Sequence, residues 1–483
     1  MSLGRARVGE ASRFARAPVV AAAVVACADV ALVAWPAQAT WARVWLYGLA
    51  LGAHGVLAWL LRPLVRHGRV AAGLPRMVVW GLVATVGLAA WTAPPRTSRD
   101  SFAYVAYGHQ VVAHQQNPYT TAPSALDDDP FAVAVDARWR DTKAVYGPAW
   151  MIVSAGAAAV GGNSPDAAAR WLRLCVLECW FVLLALVDRA RGAGACVLVG
   201  LWPPAVTYGV NDGHADVALA LCLLAAAGAL VRSRWLLSGV LAAIAVSIKA
   251  VAGVPAVALG LAALAIGRAR GAARWCGAFG ALGVAMTAPW GIGAYADALG
   301  SATGRASRAA IWEWFRLRWT HSRVATGELG RIAGPAVRDR VDALALVALG
   351  AVAVSAVALL LARRRAGDAA AWGGLAGVVG LAVCVVAPYV LPWYLGAAAA
   401  LLLAGGIGAG AWLWGGYLGL AYLAPWSRSS GGAAQWVLDL TSSGRTSLAV
   451  GLAALALAMW RFDRALVKPG DGGALDAPNV ARP

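Results

Sequence analysis

The chain has 483 residues, of which 60% are hydrophobic and 13% are charged. An average soluble domain has about 45–50% apolar and about 25% charged residues, so this composition excludes an ordinary soluble protein. The formal charge of +18 would suit a nucleic-acid binder, but the arginines cluster in short connectors between apolar blocks. Basic residues in short loops between apolar segments are typical of membrane proteins with several spans. The seven cysteines lie in or beside apolar blocks without metal-ligand spacing, so we interpret them as packing residues.

Apolar blocks of roughly 15–22 residues recur along the chain, near the roughly 20 that cross about 30 Å of hydrocarbon. Because backbone groups in lipid must be paired within each segment, the blocks predict helices. We predict an all-α polytopic membrane protein with about 14 transmembrane helices. The predicted order is a cytoplasmic N-terminus (1–17), three transmembrane helices (18–93), an exterior loop (94–166), transmembrane helices (167–290), an arginine-rich exterior loop (291–340), transmembrane helices (341–460) and a cytoplasmic disordered tail (461–483).

Sidedness follows from the short connectors, because Lys and Arg in short loops stay cytoplasmic. Seven basic groups fall on one side, which predicts cytoplasmic N- and C-termini in the plasma membrane. The agreement requires that the apolar stretch 149–160 does not cross the membrane. This stretch is short and bounded by glycines, so we interpret it as a re-entrant or surface helix.

The first exterior loop begins with a predicted interfacial helix. Apolar residues including Phe102 and Val105 fit one helical face, and Asp100, Tyr104 and Tyr107 share another at i, i+4 and i+7. An amphipathic helix of this kind lies along the membrane surface. Asp100 would then stand at headgroup depth, either as a catalytic carboxylate or as a residue that favours the helix dipole.

The same loop continues with Asn117-Pro118-Tyr119 and with a basic run around Trp139. Arginine forks suit phosphate geometry, and aromatic rings stack on sugar faces, so this run is a candidate site for a sugar phosphate. The alternative is a solvated loop with incidental ion pairs. The candidate residues of the run are Arg138, Trp139, Arg140, Lys143 and Tyr146.

Other exterior ends of predicted helices also carry polar and aromatic residues. Lys249 interrupts an apolar run, and a cation within the membrane is costly unless it has a task or a partner. The aromatic pair Trp393-Tyr394 fits either a sugar site or an interfacial belt. Asp212, His214 and Asp216 follow one another closely and could add polar contacts.

Six sequence features lie at the predicted exterior ends and loops: Asp100, Asn117-Pro118-Tyr119, Trp139-Arg140-Asp141-Thr142, Tyr146-Gly147-Pro148, Gly213-His214-Ala215-Asp216 and Pro392-Trp393-Tyr394. Together they resemble the multispanning GT-C glycosyltransferases, and most closely the polyprenyl-phosphate-mannose-dependent α-1,6-mannosyltransferases of actinobacterial lipomannan synthesis. Two departures affect donor and acceptor identity. The family usually has His-Asn-Asp at His214-Ala215-Asp216, and a small residue or proline pair where Lys143-Ala144-Val145 precedes Tyr146.

The resemblance implies a GT-C fold and an inverting transfer of mannose from a polyprenyl-phosphate donor to a glycolipid or mannan acceptor. In that family an acidic residue of the first large exterior loop is the catalytic base, and the matching residue is Asp100. No metal ligand and no obligatory cofactor are expected, although a divalent cation stays open. We predict substrate contacts from Tyr104, Asn117, Tyr119, Arg138, Trp139, Arg140, Lys143, Tyr146, Asp212, His214, Asp216, Lys249, Trp393 and Tyr394.

Three alternatives stay open from the sequence. A related transferase could use another lipid-linked sugar, such as arabinofuranose or glucose. A transporter or flippase of lipid-linked sugars would share the composition, but it should show inverted repeats and polar groups near the midplane, such as Asp29 and Glu178. A non-catalytic assembly protein is the third alternative.

Overall fold

The computed structural model describes residues 3–35, 40–66, 75–126, 128–302, 307, 309–312, 315–316, 318–320, 330–363, 365, 367–404, 408–423 and 435–467. Within these residues the secondary structure is helical, which agrees with the all-α prediction. The α-helices are α1 (Leu3–Ala34), α2 (Thr40–Arg66), α3 (Arg76–Thr92), α4 (Asp100–His114), α5 (Pro130–Ala134), α6 (Pro148–Gly161), α7 (Pro165–Arg191), α8 (Ala193–Gly200), α9 (Asp216–Val231), α10 (Trp235–Ile248), α11 (Gly253–Thr287), α12 (Ile292–Ala302), α13 (Gly330–Ala362), α14 (Ala369–Val386), α15 (Leu395–Ala404), α16 (Ala409–Leu423), α17 (Gln435–Ser442) and α18 (Gly444–Val467).

Several helices are long and apolar enough to cross a membrane. Among the described residues five stretches meet this test, or six if a pair of helices bent by 71° counts as one broken span. Other apolar helices, such as α9 and α10, are shorter. The chain is therefore a polytopic membrane protein, whereas the count of about 14 spans stays a prediction. The five stretches are Ala17–Ala34, Ala42–Leu61, Ala250–Trp290, Val337–Ala362 and Ala369–Val386, and the bent pair is Ala193–Gly200 with Ala205–Asn211.

The long helix α11 folds back on itself. Arg268 has a non-helical backbone, with φ 52° and ψ −157°. The ring of Trp275 lies 3.0 Å from the position of a Cβ on Gly260, although 15 residues of straight helix would separate them by about 22 Å. The two halves are thus antiparallel, and the reversal falls between two apolar blocks of the sequence, at Arg268 and Arg270.

The predicted helix at the start of the first loop is present as α4, but its environment differs from the prediction. Residues 101–108 are all buried, so α4 does not lie along a membrane surface with one lipid-facing side. It packs between α6 and α7. A Cβ on Gly108 would lie 2.2 Å from the carbonyl oxygen of Ser154, so the helices touch backbone to backbone. The apolar residues in the first half of α4 therefore contact protein rather than lipid, whereas Val112 and Ala113 near its end are exposed.

Three predicted segments can be compared with the structure, and two of them have different boundaries. The stretch predicted as re-entrant forms α6, whose 14 residues extend about 21 Å and are too short to cross hydrocarbon alone. The tail predicted as disordered from residue 461 is helical through Val467, because α18 continues to that residue. The helix predicted from residue 341 begins at Gly330. Most of the predicted arginine-rich loop and residues 468–483 lie outside the described residues.

The packing of α7 brings two distant helix starts together. This helix contacts α4 on one side and α9 on the other, while α9 also packs against α10 and α15. The first residue of α4 is Asp100, and the first residue of α9 is Asp216. Residues more than 100 positions apart therefore meet at one end of the helical bundle.

Candidate active site

Asp100 is the first residue of α4, where the helix dipole favours a negative charge. Its backbone N–H donates to the hydroxyl of Ser98 at 3.1 Å, which fixes the start of the helix. The side chain keeps 17% exposure, whereas the residues that follow it in α4 are buried. At the start of α4, the Asp100 carboxylate is therefore the side-chain group that a substrate can reach.

His214 faces Asp100 from the turn before α9. Its Nε2 lies 3.4 Å from a carboxylate oxygen of Asp100, and its side chain is completely buried. The other ring nitrogen, Nδ1, donates to the backbone carbonyl of Tyr208. Because a carbonyl only accepts, Nδ1 carries a proton, and Nε2 faces a carboxylate that also accepts. An ionised Asp100 therefore favours a proton on both nitrogens, and we interpret His214 as an imidazolium.

The pKa shifts of the pair agree with that assignment. Burial acts to lower the pKa of His214, but the carboxylates of Asp100, Asp212 and Asp216 raise it above its ordinary value. Burial acts to raise the pKa of Asp100, but its contacts with His214 and Ser98 and the charge of Lys249 hold it below its ordinary value. Asp100 is thus ionised at neutral pH.

Asn211 and Asp212 hold the chain that leads into Asp100. Asn211 ends a π-helical segment, a conformation that often marks functional sites. Its amide nitrogen donates to the carbonyls of Ala90, Ala93 and Pro94, at 2.9, 3.3 and 3.1 Å.

Asp212 completes the attachment. One carboxylate oxygen of Asp212 accepts from the backbone N–H groups of Arg96 at 2.9 Å and Thr97 at 3.1 Å. The other oxygen accepts from the Thr97 hydroxyl. The predicted substrate-binding Asp212 is fully buried and occupied by these contacts, so it positions the segment before Asp100.

A second buried ion pair lies beside the first. The Nζ of Lys249 lies 3.1 and 3.0 Å from the two carboxylate oxygens of Asp216. Lys249 follows the last residue of α10 and Asp216 begins α9, so each charge also lies at a helix end. The two side chains are only 10% and 3% exposed. The intramembrane cation noted in the sequence therefore has a partner within the protein.

Two consecutive aromatic residues cover both cations. Trp393 and Tyr394 lie on a 3₁₀ turn before α15. The ring of Trp393 stacks on His214, with centroids 3.8 Å apart and planes at 19°. The Nζ of Lys249 lies 3.7 Å from the centroid of the Tyr394 ring. Both contacts place a cation against an aromatic face, an attraction that strengthens when water is excluded.

The Tyr-Gly-Pro motif places another ring at this centre. Gly147 donates to the carbonyl of Ile248 at 2.9 Å, and a Cβ there would lie 2.2 Å from the Ser247 carbonyl oxygen. Only glycine allows this approach to the end of α10. Tyr146 consequently lies 5.8 Å from the Nζ of Lys249 and meets the Tyr104 ring edge-on at 4.6 Å.

The basic run of the first loop is engaged mostly with its own loop. Arg138 forms a two-pronged contact with Asp136, at 3.0 and 2.9 Å, and is 63% exposed. Arg140 donates to the carbonyls of Val133 and Val135. Trp139 is half-buried against the core, and Lys143 is exposed. The phosphate-binding role of these residues stays a prediction.

Asn117 and Tyr119 connect the loop to neighbouring segments. The amide of Asn117 donates to the Trp290 carbonyl at 2.7 Å and accepts from the Tyr119 backbone at 3.0 Å. The Tyr119 hydroxyl donates to the Tyr146 carbonyl at 2.8 Å. Asn117 and Tyr119, both predicted to contact substrate, therefore help to hold the backbone of Tyr146 in place.

Two residues near these ion pairs are not predicted from the sequence. Arg173 in α7 is buried and donates to the carbonyl of Ala90 at 2.8 Å, beside Asn211. Tyr422 in α16 packs edge-on against Trp393, with centroids 5.2 Å apart. A charge inside an apolar helix was the available signal for Arg173. A tyrosine in an aromatic-rich helix gives no comparable signal.

An apolar cavity lies next to the ion pairs. It is a small pocket, partly open to solvent, and is lined by residues of α7, α8, α9 and α15 with the turns between them. Trp180, Trp202, Trp393 and Asp216 are among the lining residues. A polar centre and an apolar cavity thus share Asp216 and Trp393.

Comparison with known proteins identifies the family of the chain. Residues 9–266, just over half of the chain, match the family described as "Alpha-(1->6)-mannopyranosyltransferase, N-terminal domain". This chain belongs to that family. The resemblance drawn from the sequence and the expectation of a glycosyltransferase are thereby confirmed.

Two relatives extend the match. The chain is 28% identical to alpha-(1->6)-mannopyranosyltransferase A of Mycobacterium tuberculosis over 371 residues, which cover 70% of this chain and 67% of the relative. It is 32% identical over 154 residues to a probable alpha-(1->6)-mannopyranosyltransferase of Mycolicibacterium smegmatis, covering 30% of this chain and 26% of the relative. The family membership argues against the transporter and assembly-protein alternatives.

Proposed function

We propose that this chain transfers a mannosyl residue from a polyprenyl-phosphate donor to a cell-envelope glycolipid or mannan acceptor, forming an α-1,6 linkage. The observation that carries the proposal is the ionised Asp100, reachable by substrate and paired with the buried His214. The family membership supports the sugar and the linkage. The donor class is supported by the apolar cavity beside the charges.

Asp100 would act as the general base. The acceptor hydroxyl oxygen attacks the anomeric carbon of the donor, and its proton passes to the Asp100 carboxylate. The bond between that carbon and the phosphate oxygen breaks, and its electrons stay on the leaving polyprenyl phosphate. One displacement from the opposite face inverts a β-linked donor to an α-linked product. The low pKa of Asp100 keeps it in the proton-accepting form before the reaction.

Lys249 would stabilise the leaving phosphate. The departing group gains a negative charge, which needs a cation already in place. Two N–H groups of Lys249 face Asp216, and the ammonium has a third to offer. Burial of Lys249 strengthens its interaction with a phosphate, because the local dielectric constant is low.

The apolar cavity would hold the first isoprene units of the donor. Its ring-lined wall suits a hydrocarbon chain, and Trp393 separates it from the imidazolium of His214. A polyprenyl chain in this cavity would keep its phosphate beside Asp216 and Lys249. Such an arrangement lets the tail stay in hydrocarbon while the sugar meets a water-borne acceptor.

The location and cofactor requirement complete the proposal. We infer that the protein is in the plasma membrane, with cytoplasmic termini and the site on the exterior face. We also infer that the transfer needs no obligatory divalent cation, because the leaving group carries a single phosphate. Transfer in the presence of EDTA tests the second inference, and its abolition would contradict it.

The decisive experiment replaces the base. Asp100→Asn keeps the size of the side chain but cannot accept the proton, so transfer should fall by about 10²–10⁴-fold. The measurement is radiolabelled mannose moved from polyprenyl-phosphate-mannose to a mannan acceptor by purified protein. Asp128→Asn, an exposed change elsewhere in the first loop, is the matched control. Full transfer by the Asp100 variant would show that Asp100 is not the base. Transfer from another lipid-linked sugar instead of mannose would show that the donor is wrongly assigned.

Sidedness has its own experiment. Cysteines introduced singly at Ala125 and at Ser233, both exposed, should react differently with an impermeant thiol reagent. We expect labelling at Ala125 on intact cells, and at Ser233 only after permeabilisation. The reverse pattern would place the site on the cytoplasmic face.

A further inference from the structure

A second cluster of polar side chains lies at the other end of α4. His109 Nδ1 lies 2.9 Å from an oxygen of Asp129, and His114 Nε2 lies 2.5 Å from that same oxygen. The three ligand-type atoms all fall within 4.8 Å of one another. From Asp100, the rise of the helix carries the chain about 14 Å to His109 and about 21 Å to His114. The cluster is therefore separate from the site described above.

The three side chains are held in place by their neighbours. The imidazole of His109 stacks on the Phe131 ring, with centroids 3.9 Å apart and planes at 6°. One oxygen of Asp129 accepts from the Phe131 backbone N–H at 2.7 Å as the cap of α5. That contact leaves the other oxygen for the two histidines. Their side chains are 14%, 35% and 6% exposed for His109, His114 and Asp129, so the cluster is shielded but reachable.

The donor set matches that of a transition-metal site. Imidazole nitrogens suit Zn²⁺ and similar ions, and two histidines with one carboxylate leave a position for water. Zn–N and Zn–O bonds of about 2.0–2.2 Å put tetrahedral ligands about 3.3 Å apart. The present separations of 2.9 and 2.5 Å from Asp129 would widen by less than about 1 Å to admit an ion.

We propose that His109, His114 and Asp129 bind one Zn²⁺ ion. The ion links the end of α4 to the start of α5 and closes the loop between residues 114 and 129. The ion is separated from Asp100 along α4, so we assign it an effect on the fold of the loop and not on the transfer, with water completing its coordination. Metal binding therefore stabilises the fold of the loop, because the ion binds the folded arrangement and not the unfolded chain.

The test uses the full chain, purified in detergent with a tag that contains no histidine and stripped with EDTA. After addition of micromolar Zn²⁺ and gel filtration, we expect one zinc per wild-type chain and a higher thermal midpoint than in EDTA. Substitution with Co²⁺ should give visible absorption bands of a low-coordinate site.

Three variants distinguish a metal site from a hydrogen-bonded triad. The double variant His109→Gln/His114→Gln keeps hydrogen-bonding groups but loses both nitrogen ligands, so zinc retention and the thermal shift should vanish. Asp129→Asn keeps a good helix cap and should weaken zinc binding by more than the roughly 10–100-fold caused by losing an outer-shell partner.

The control Asp128→Asn removes a charge one position away and should bind as wild type does. A thermal midpoint in EDTA equal to that of the wild type establishes that each variant is folded. Equal zinc retention by the double variant, or none by the wild type, would overturn the proposal. Mannosyl transfer by the double variant at low temperature should persist, so loss of this site and loss of the proposed function are separable.

Discussion

The four charges at the helix ends and the basic run of the first loop offer a direct comparison. Asp100, His214, Asp216 and Lys249, here called the buried charge centre, come from distant parts of the chain and are fixed by helix starts and aromatic rings. In the basic run, by contrast, Arg138 and Arg140 contact residues of their own loop, and Arg138 is mostly exposed. Charges fixed before substrate arrives need little reorganisation during a reaction, whereas exposed pairs are screened by water. Charges that are neighbours in the sequence therefore need not form the cluster of charges that the fold buries.

The strongest test breaks one buried pair. Lys249→Met leaves the Asp216 carboxylate buried without its partner, so the free energy of unfolding should fall by about 3–5 kcal/mol. The exposed pair Arg363–Asp463, with its closest atoms 2.9 Å apart, is the matched control. Arg363→Met should cost no more than about 1 kcal/mol. Thermal and denaturant unfolding of purified protein measure both, and equal losses would contradict the comparison.

A double variant separates folding from chemistry at the same pair. Lys249→Met combined with Asp216→Leu removes both charges, so stability should return close to that of the wild type. Mannosyl transfer should stay lost, because no cation meets the leaving phosphate. Recovery of transfer together with stability would assign Lys249 a structural role alone.

The next test removes the imidazolium. His214→Gln deletes a charged hydrogen-bond partner, so transfer should fall roughly 10–100-fold, which corresponds to about 1.5–3 kcal/mol. Without His214 the burial of Asp100 raises its pKa, and the acid limb of the rate profile should move to higher pH. Measurement of transfer between about pH 4 and pH 8 tests both effects. An unchanged acid limb would show that His214 does not control Asp100.

A smaller effect is expected on stability as the pH changes. Because the pKa of His214 is raised, its stabilising contribution is complete below the unfolded value of about 6.5 and is lost as the pH rises through the raised value. The contribution of Asp100, whose pKa is lowered, is lost only as the pH falls through that lowered value. Thermal midpoints of the wild type should decline on the alkaline side, and those of His214→Gln should decline less there. Parallel declines would reject the ion pair.

The smallest effect is expected in the basic run. Arg138→Ala breaks a pair that is 63% exposed on the arginine side, so stability should change by less than about 1 kcal/mol. Transfer should change only a few-fold, since Arg138 is already engaged with Asp136. A large rise in the donor KM would instead restore the phosphate-binding role predicted from the sequence.

Much of the fold was readable because lipid forces apolar segments into helices. The reversal of α11 was visible as two apolar blocks around Arg268 and Arg270. The burial of α4 was not, since an apolar face predicts contact with apolar material and does not say whether that is lipid or protein. The helix itself was predicted correctly, but its neighbours α6 and α7 are equally apolar.

In the candidate site, too, some features can be predicted from the sequence and others depend on tertiary packing. Residue types and helix ends were enough to select Asp100, His214 and Lys249. Residue types alone could not pair Lys249 with Asp216, because that contact joins two helices through tertiary packing. Nor could it distinguish Asp212, which holds backbone N–H groups, from its neighbours His214 and Asp216.

The short turn Pro392–Tyr394 has a consequence for how the two halves of the site communicate. Neighbouring residues on it face the two different cations, Trp393 on His214 and Tyr394 on Lys249. Any displacement of this turn that uncovers one cation also disturbs the other. If a donor at Lys249 displaces Tyr394, we expect Trp393 and its contact with His214 to move with it, because the two rings stand on consecutive residues.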